Sequence, residues 1–128
     1  MNYLLDTHTV LWFLNGDKTS LSNTARDIIQ NQQHTKFVSM ASVWEAGIKI
    51  SIGKLVFPEN TNGFIQQIQK NGFELLPIGA SHIVAIEQLP LIHRYPFDRL
   101  LIATAITEQM GLVSCDANIK LYPVNTIW

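Results

Sequence analysis

One cysteine, Cys115, stands in 128 residues. No internal disulfide is possible, and the small disulfide-stapled scaffolds are excluded. Long hydrophobic runs are also missing. The longest uninterrupted apolar stretch, Val10–Leu14, is far below the ~18 residues that suggest a transmembrane helix. The N-terminus reads Met-Asn-Tyr-Leu-Leu-Asp, with no basic segment and no apolar core, so no secretory signal is expected. These absences point to a reducing cytoplasm. Charge is sparse as well: 15% of residues are charged and 47% are apolar, the opposite of a disordered chain. Nor is there a basic excess, since nine Lys and Arg face ten Asp and Glu, a balance that argues against a simple nucleic-acid-binding surface. Repeats, low-complexity tracts and Pro/Gly-rich linkers are absent, so residues 1–128 are expected to form a single domain.

What remains is alternation. Asn2–Leu5 reads as a first strand and Thr7–Asn15 as a helix closed by Gly16. Ser22 caps a second helix that turns Ala25, Ile28 and Ile29 inward. Lys36–Ser39 is a second strand, followed by a helix over Met40–Ile52 with Trp44, Ile48 and Ile52 on one stripe and Gly53 at its end. Asn60–Asn71 is helical and stops at Gly72; Phe73–Ile78 is a third strand. Ser81–Gln88 and Pro96–Met110 are helices, Leu112–Cys115 a fourth strand and Thr126–Trp128 a fifth. Strands alternating with helices favour an α/β fold, a parallel sheet of four to five strands flanked by helices in three layers. Right-handed crossovers then bring the helix N-termini to the carboxyl edge of the sheet, where ligands bind in such folds.

Four acids fall at that edge. Asp6 follows the first strand and Asp116 the fourth. Asp98 lies in the first turn of the helix opened by Pro96, and Glu45 in the second turn of the helix after strand two. Carboxylates crowded together repel one another unless a cation sits among them, and oxygen-only ligands suit Mg²⁺ or Mn²⁺. Each acid also has a local reading. Asp6 and Asp116 suit N-cap positions, Asp98 suits a helix dipole, and Glu45 stands four residues before Lys49.

Other chemistries lack their residues. His8, His34, His82 and His93 show no zinc-site spacing. There is no G-x-S-x-G and no phosphate-binding loop motif. Cys115 adjoins Asp116, whose charge raises a thiol pKa and opposes an activated thiolate. Two alternatives stay open. A phosphatase or phosphoacceptor module on a similar sheet would want Asp-x-Asp after strand one, and His8 stands where its second Asp belongs. A non-catalytic RNA-binding or dimerisation domain would leave the acids without a reaction.

The same residues resemble the PIN-domain ribonucleases, and among them the VapC-type toxins of bacterial toxin–antitoxin pairs. The matching pieces are Tyr3-Leu4-Leu5-Asp6-Thr7-His8, Ser42-Val43-Trp44-Glu45 leading to Lys49 and Gly53-Lys54-Leu55, His93-Arg94-Tyr95-Pro96-Phe97-Asp98-Arg99, and Ser114-Cys115-Asp116 through Tyr122 to Trp128. The resemblance implies a compact three-layer fold and hydrolysis of single-stranded RNA with Mg²⁺ or Mn²⁺. It assigns Asp6, Glu45, Asp98 and Asp116 to the acidic quartet and Thr7 and Ser114 to supporting hydroxyls. It also implies an antitoxin partner and a homodimer. Tyr95 departs from the pattern, which has an acid or a small polar residue there. Setting the four acids aside leaves nine bases against six acids. Lys36, Lys49, Lys54, Arg94 and Arg99 are then candidates to steer phosphates.

Overall fold

The computed structural model describes residues 1–128. Five strands, β1 (Asn2–Leu5), β2 (Thr35–Ser39), β3 (Glu74–Leu76), β4 (Gly111–Val113) and β5 (Thr126–Ile127), pair in parallel in the order β3-β2-β1-β4-β5. Six helices connect them: α1 (Thr7–Leu14), α2 (Asn23–Gln30), α3 (Met40–Ser51), α4 (Asn60–Lys70), α5 (Ala80–Ile86) and α6 (Pro96–Glu108). The expected α/β/α layering is present, with all five strands.

The pleat divides the sheet into two cores. Tyr3, Leu5, Val38 and Val113 point into one, with residues of α1, α2, α3 and α4. Leu4 and Leu112, their neighbours in sequence, point into the other, with α6 and the turn that ends at Tyr122. Helix ends follow local chemistry. Asp6 Oδ1 accepts from Thr9 N (2.8 Å) at the start of α1, Ser22 Oγ from Ala25 N (3.0 Å) at α2, and Ser39 Oγ from Ala41 N (3.0 Å) at α3. Gly16, Gly53 and Gly72 take the positive φ that the chain needs just beyond helix ends.

The differences from the sequence reading have physical causes. The third strand is shorter than Phe73–Ile78: Phe73 N is bonded to Ile68 O at the end of α4, and Pro77 has no N–H to continue the ladder. The fifth helix begins at Ala80 after Gly79 and ends at Ile86, because Glu87, Gln88 and Leu89 close in tight turns. The sixth stops at Glu108, where Gln109 turns left-handed and Met110 N bonds Ala105 O. A 3₁₀ turn, Ile119–Leu121, lies where the sequence showed no element.

Strand order reverses at β1. The chain first builds outward through β2 and β3, then returns to add β4 and β5 on the other side. The crevice between β1 and β4 is therefore the topological switch point, the favoured ligand position in open parallel sheets.

Candidate active site

Asp6 directly follows β1 and Asp116 lies just beyond β4, so these two acids flank the switch point. Asp6 is 6% exposed. Burial pushes its carboxyl above the ordinary value, and hydrogen bonds from the Ser114 hydroxyl and from Thr9 offset only part of this. Asp116 Oδ1 accepts from Asn118 N (2.8 Å) and Ile119 N (3.1 Å), fixing the start of the 3₁₀ turn. Asp6 thus takes the N-cap role open to it in the sequence, while Asp116 anchors its turn from two residues ahead of the cap, Asn118. These backbone bonds occupy one oxygen of each carboxylate.

Glu45 arrives from α3, whose first turn starts at the carboxyl edge of β2. It is 2% exposed, an unusual place for a carboxylate. Its Oε2 accepts from Lys49 Nζ (2.9 Å) and from the Tyr95 hydroxyl (2.5 Å). Its Oε1 is buried and has no hydrogen-bond partner. Burial pushes the Glu45 carboxyl up, but the donors Tyr95, Thr7 and Lys49 beside it outweigh burial and hold it below its ordinary value.

Asp98 enters from the first turn of α6, with its Oδ2 3.0 Å from His93 Nε2. Burial, and the nearby charges of Asp116 and Glu45, push its carboxyl up against the pull of His93. Asp98, Asp116 and Glu45 therefore share one electrostatic field. Cys115 lies in it too: burial and then the charges of Asp6 and Asp116 raise its thiol, so it is a poor nucleophile, as its sequence neighbours implied.

Thr7 and Ser114 are both buried beside the acids. The Thr7 hydroxyl donates to Ser42 Oγ (2.8 Å), and Ser114 Oγ accepts from Asp116 N (3.1 Å). The Thr7 hydroxyl thus ties α1 to α3, and Ser114 shapes the loop that carries Asp116.

The basic residues separate. Lys49 is at the site, on Glu45. Arg94 is exposed in the segment just before α6. Arg99 is turned to the protein: its Nη1 donates to Pro90 O (3.0 Å) and to the Tyr122 hydroxyl (3.0 Å). Lys36 is a correction. It is buried, pairs in register with Tyr3 in the amino half of the sheet, and donates to Asn31 O (2.7 Å), at the end opposite the acids. Alternation along a strand gives no sign of which end of the sheet a residue occupies. Lys54 is exposed beyond the C-terminus of α3, a helix running ~18 Å away from the edge.

His93, Tyr122 and Tyr95 are named in the sequence reading but given no role at the site there. The spacing His93-x₄-Asp98, on either side of a helix-opening proline, was the available signal for the first. Tyr122 sits too far along the chain from Asp98 to be paired with it by spacing.

No group of three or more His, Cys, Asp or Glu side chains is gathered closely enough to hold an ion as the side chains stand. The donor chemistry nonetheless suits a hard divalent cation. Every acid at this edge offers oxygen, and Glu45 Oε1 is a buried acceptor with nothing in the protein to satisfy it. Such an atom costs stability unless something else binds it.

No curated protein matches the chain by sequence. Solved structures share its fold at low identity. VapBC2 from Rickettsia felis, bound to a promoter DNA fragment, matches with a TM-score of 0.73 and 18% identity over 100% of this chain and 99% of that one. DNA-bound VapBC from Salmonella typhimurium gives 0.72 and 14% over 99% and 97%. FitAcB from Neisseria gonorrhoeae gives 0.64 and 15% over 98% and 96%. The PIN domain family model matches residues 3–125, nearly the whole sequence, and the chain belongs to the PIN domain family.

Proposed function

We propose that the chain is a divalent-metal-dependent endoribonuclease of the VapC type, hydrolysing single-stranded RNA at the edge formed by Asp6, Glu45, Asp98 and Asp116. The observation that carries this reading is Glu45: buried, with Oε2 held by Tyr95 and Lys49, Oε1 without a hydrogen-bond partner, and its charge felt by Asp98 together with that of Asp116. A merely structural Glu–Lys pair belongs at the surface, where it contributes ~0.3–0.5 kcal/mol.

In this reading Asp6, Glu45, Asp98 and Asp116 hold Mg²⁺ or Mn²⁺. The cation, when bound, acidifies a water and offsets the negative charge that builds on phosphorus. The protein residues position and charge the site. Asp6 is fixed by its cap bond to Thr9, Glu45 by Tyr95 and Lys49, Asp98 by His93 and Asp116 by the 3₁₀ turn. Lys49, partly exposed beside Glu45, and Arg94, exposed before α6, are the cations best placed to meet the RNA backbone. The sequence's shortage of basic residues is consistent with this, because the site's own acids account for four of its ten carboxylates.

The likeness to VapBC complexes supports a cognate antitoxin chain as partner, and a cytoplasmic toxin as the biological role. A homodimer is supported by the stripe Trp44, Ile48 and Ile52 on α3, which is 58%, 38% and 59% exposed. No helix is long and apolar enough to cross a membrane.

The test is cleavage of single-stranded RNA by purified protein with Mg²⁺ or Mn²⁺, with EDTA, and with Asp98→Asn. Cleavage that needs the cation and disappears in the variant supports the reading. Undiminished cleavage by Asp98→Asn in EDTA assigns the activity to a contaminant.

A further inference from the structure

Behind Asp98 lies a chain of hydrogen bonds whose direction can be worked out by counting donors. The Tyr122 oxygen, 3% exposed as a residue, meets three nitrogens: Arg99 Nη1 (3.0 Å), the backbone N of His93 (3.1 Å) and His93 Nδ1 (2.8 Å). Arg99 can only donate, and a backbone N–H can only donate. Together they fill both lone pairs of the phenol oxygen. Its own proton therefore has two choices, His93 Nδ1 at 2.8 Å or His93 O at 3.3 Å, and the shorter contact is the better bond. Nδ1 is then the acceptor. A neutral imidazole accepting at Nδ1 carries its proton on Nε2, and Nε2 is 3.0 Å from Asp98 Oδ2.

We propose that Arg99, Tyr122 and His93 form a fixed relay that locks His93 in the Nε2–H tautomer, engages Asp98 Oδ2 and leaves Asp98 Oδ1 for the site. His93 is thus the positioning residue for this carboxylate. The consequence for cleavage rests on the ribonuclease reading; the order of the hydrogen bonds does not. Arg99 acts through Tyr122 rather than on RNA, which reassigns the role the sequence suggested for it. The relay also joins two acids. Asp116 starts the 3₁₀ turn whose end delivers Tyr122, so the turn set by one carboxylate orients the imidazole that holds another. Glu45 shows the same division, with Oε2 engaged by protein donors and Oε1 open.

The experiment reads the imidazole directly. In ¹⁵N-labelled, metal-free protein at mildly alkaline pH, His93 should show a protonated Nε2 and an unprotonated Nδ1. Tyr122→Phe keeps the ring and removes the donor to Nδ1, leaving Asp98 alone to hold the imidazole, so the Nδ1 resonance should shift and the preference for Nε2–H should weaken. The Mn²⁺-induced rise in melting temperature should shrink in Tyr122→Phe. Cleavage should fall roughly 10–100-fold, the usual cost of losing a group that orients a metal ligand, mainly in kcat with little change in KM for RNA. His93→Gln, whose amide still donates toward Asp98, should recover part of the Mn²⁺ response that His93→Leu loses. Finding wild-type His93 as the Nδ1–H tautomer overturns the proposal. So does a Tyr122→Phe protein with an unchanged Nδ1 resonance and unchanged Mn²⁺ response. A wild-type protein with the expected tautomer and no RNA cleavage under any divalent cation upholds the relay and rejects the ribonuclease reading.

Discussion

The Tyr95 hydroxyl donates to Glu45 Oε2 at 2.5 Å, on the same oxygen that receives Lys49 Nζ. The residue that departs from the resemblance is thus bonded to the most deeply buried acid of the site. Tyr95→Phe should keep the ring contact with Phe97 and remove this donor. The Glu45 carboxyl sits below its ordinary value, so its contribution to stability is complete above the ordinary carboxylate range and lost as pH falls through the lowered value. Without the Tyr95 donor that value rises. Acid unfolding, followed by circular dichroism from about pH 3 to 7, should therefore begin at a higher pH in the variant. Unchanged acid unfolding would mean that Thr7 and Lys49 suffice to hold Glu45.

Asp98 should behave in the opposite sense. Its raised carboxyl means that folding disfavours its ionised form, a penalty present in full at high pH and relieved as pH falls through the raised value. Asp98→Asn removes the charge and keeps an acceptor for His93 Nε2. In EDTA at neutral pH the variant should melt at or above the wild-type temperature, the usual trade at a functional site. A helix-dipole partner alone would instead lose a few tenths of a kcal/mol on substitution.

The cation response separates the two proteins further. With a dissociation constant of ~1 mM, ~10 mM Mg²⁺ stabilises the fold by about 1.4 kcal/mol. For a domain of this size that is a rise of roughly 5 °C in Tm. Asp98→Asn should lose most of the rise, as read by melting curves with and without Mg²⁺. An equal rise in both proteins would remove Asp98 from the ligand set.

Two glycines give opposite predictions. A Cβ at Gly63, in the first turns of α4, would run into the Pro58 carbonyl and Glu59. Both obstacles belong to or adjoin the backbone, so Gly63→Ala should cost about 1–3 kcal/mol by overpacking. At Gly47, inside α3, the nearest atom to an added Cβ is Thr61 Oγ1 at 3.5 Å, an ordinary contact. Gly47→Ala should gain roughly 0.5–1 kcal/mol from helix propensity. Thermal melts of both variants decide each case.

Ile52 is 59% exposed on the same stripe of α3 as Trp44 and Ile48. If that stripe is the dimer surface, Ile52→Lys should yield a monomer by light scattering at concentrations where wild type is dimeric, with an unchanged Tm at low concentration. A dimeric variant would move the interface elsewhere. An apolar groove of about 300 Å³ shares Trp44 with the stripe and is otherwise lined by residues of α5 and α6 and by Ile78.

Most of the architecture was legible because its signals are local. Asp6, Ser22 and Gly53 mark helix ends by chemistry that acts within a turn, and apolar periodicity marks the faces between them. Placing the four acids at one edge needed only strand alternation and the handedness of crossovers. What stayed hidden was long-range or directional. The 3₁₀ turn at Ile119–Leu121 is too short for a period, and it is held by an Asp116 side chain whose partners no spacing rule picks out. Arg99 looked like a free cation beside a nucleic-acid site until the fold brought Tyr122 to it. Lys36 looked equally free, and burial at the far end of β2 took it away. Sequence gives the residue types at an edge; only the closed fold says which of their atoms are already bonded.

The central position of β1 has a consequence for synthesis. Its register partners on one side, Thr35 to Phe37, follow soon after it, but those on the other side, Gly111 to Val113, come much later in the chain. A nascent chain therefore carries Asp6 on a strand that lacks one of its two neighbours until residues 111–113 have been made. Asp98, Asp116 and Tyr122 join it only then. The four acids therefore cannot meet at one edge before β4 and the turn that follows it have been made.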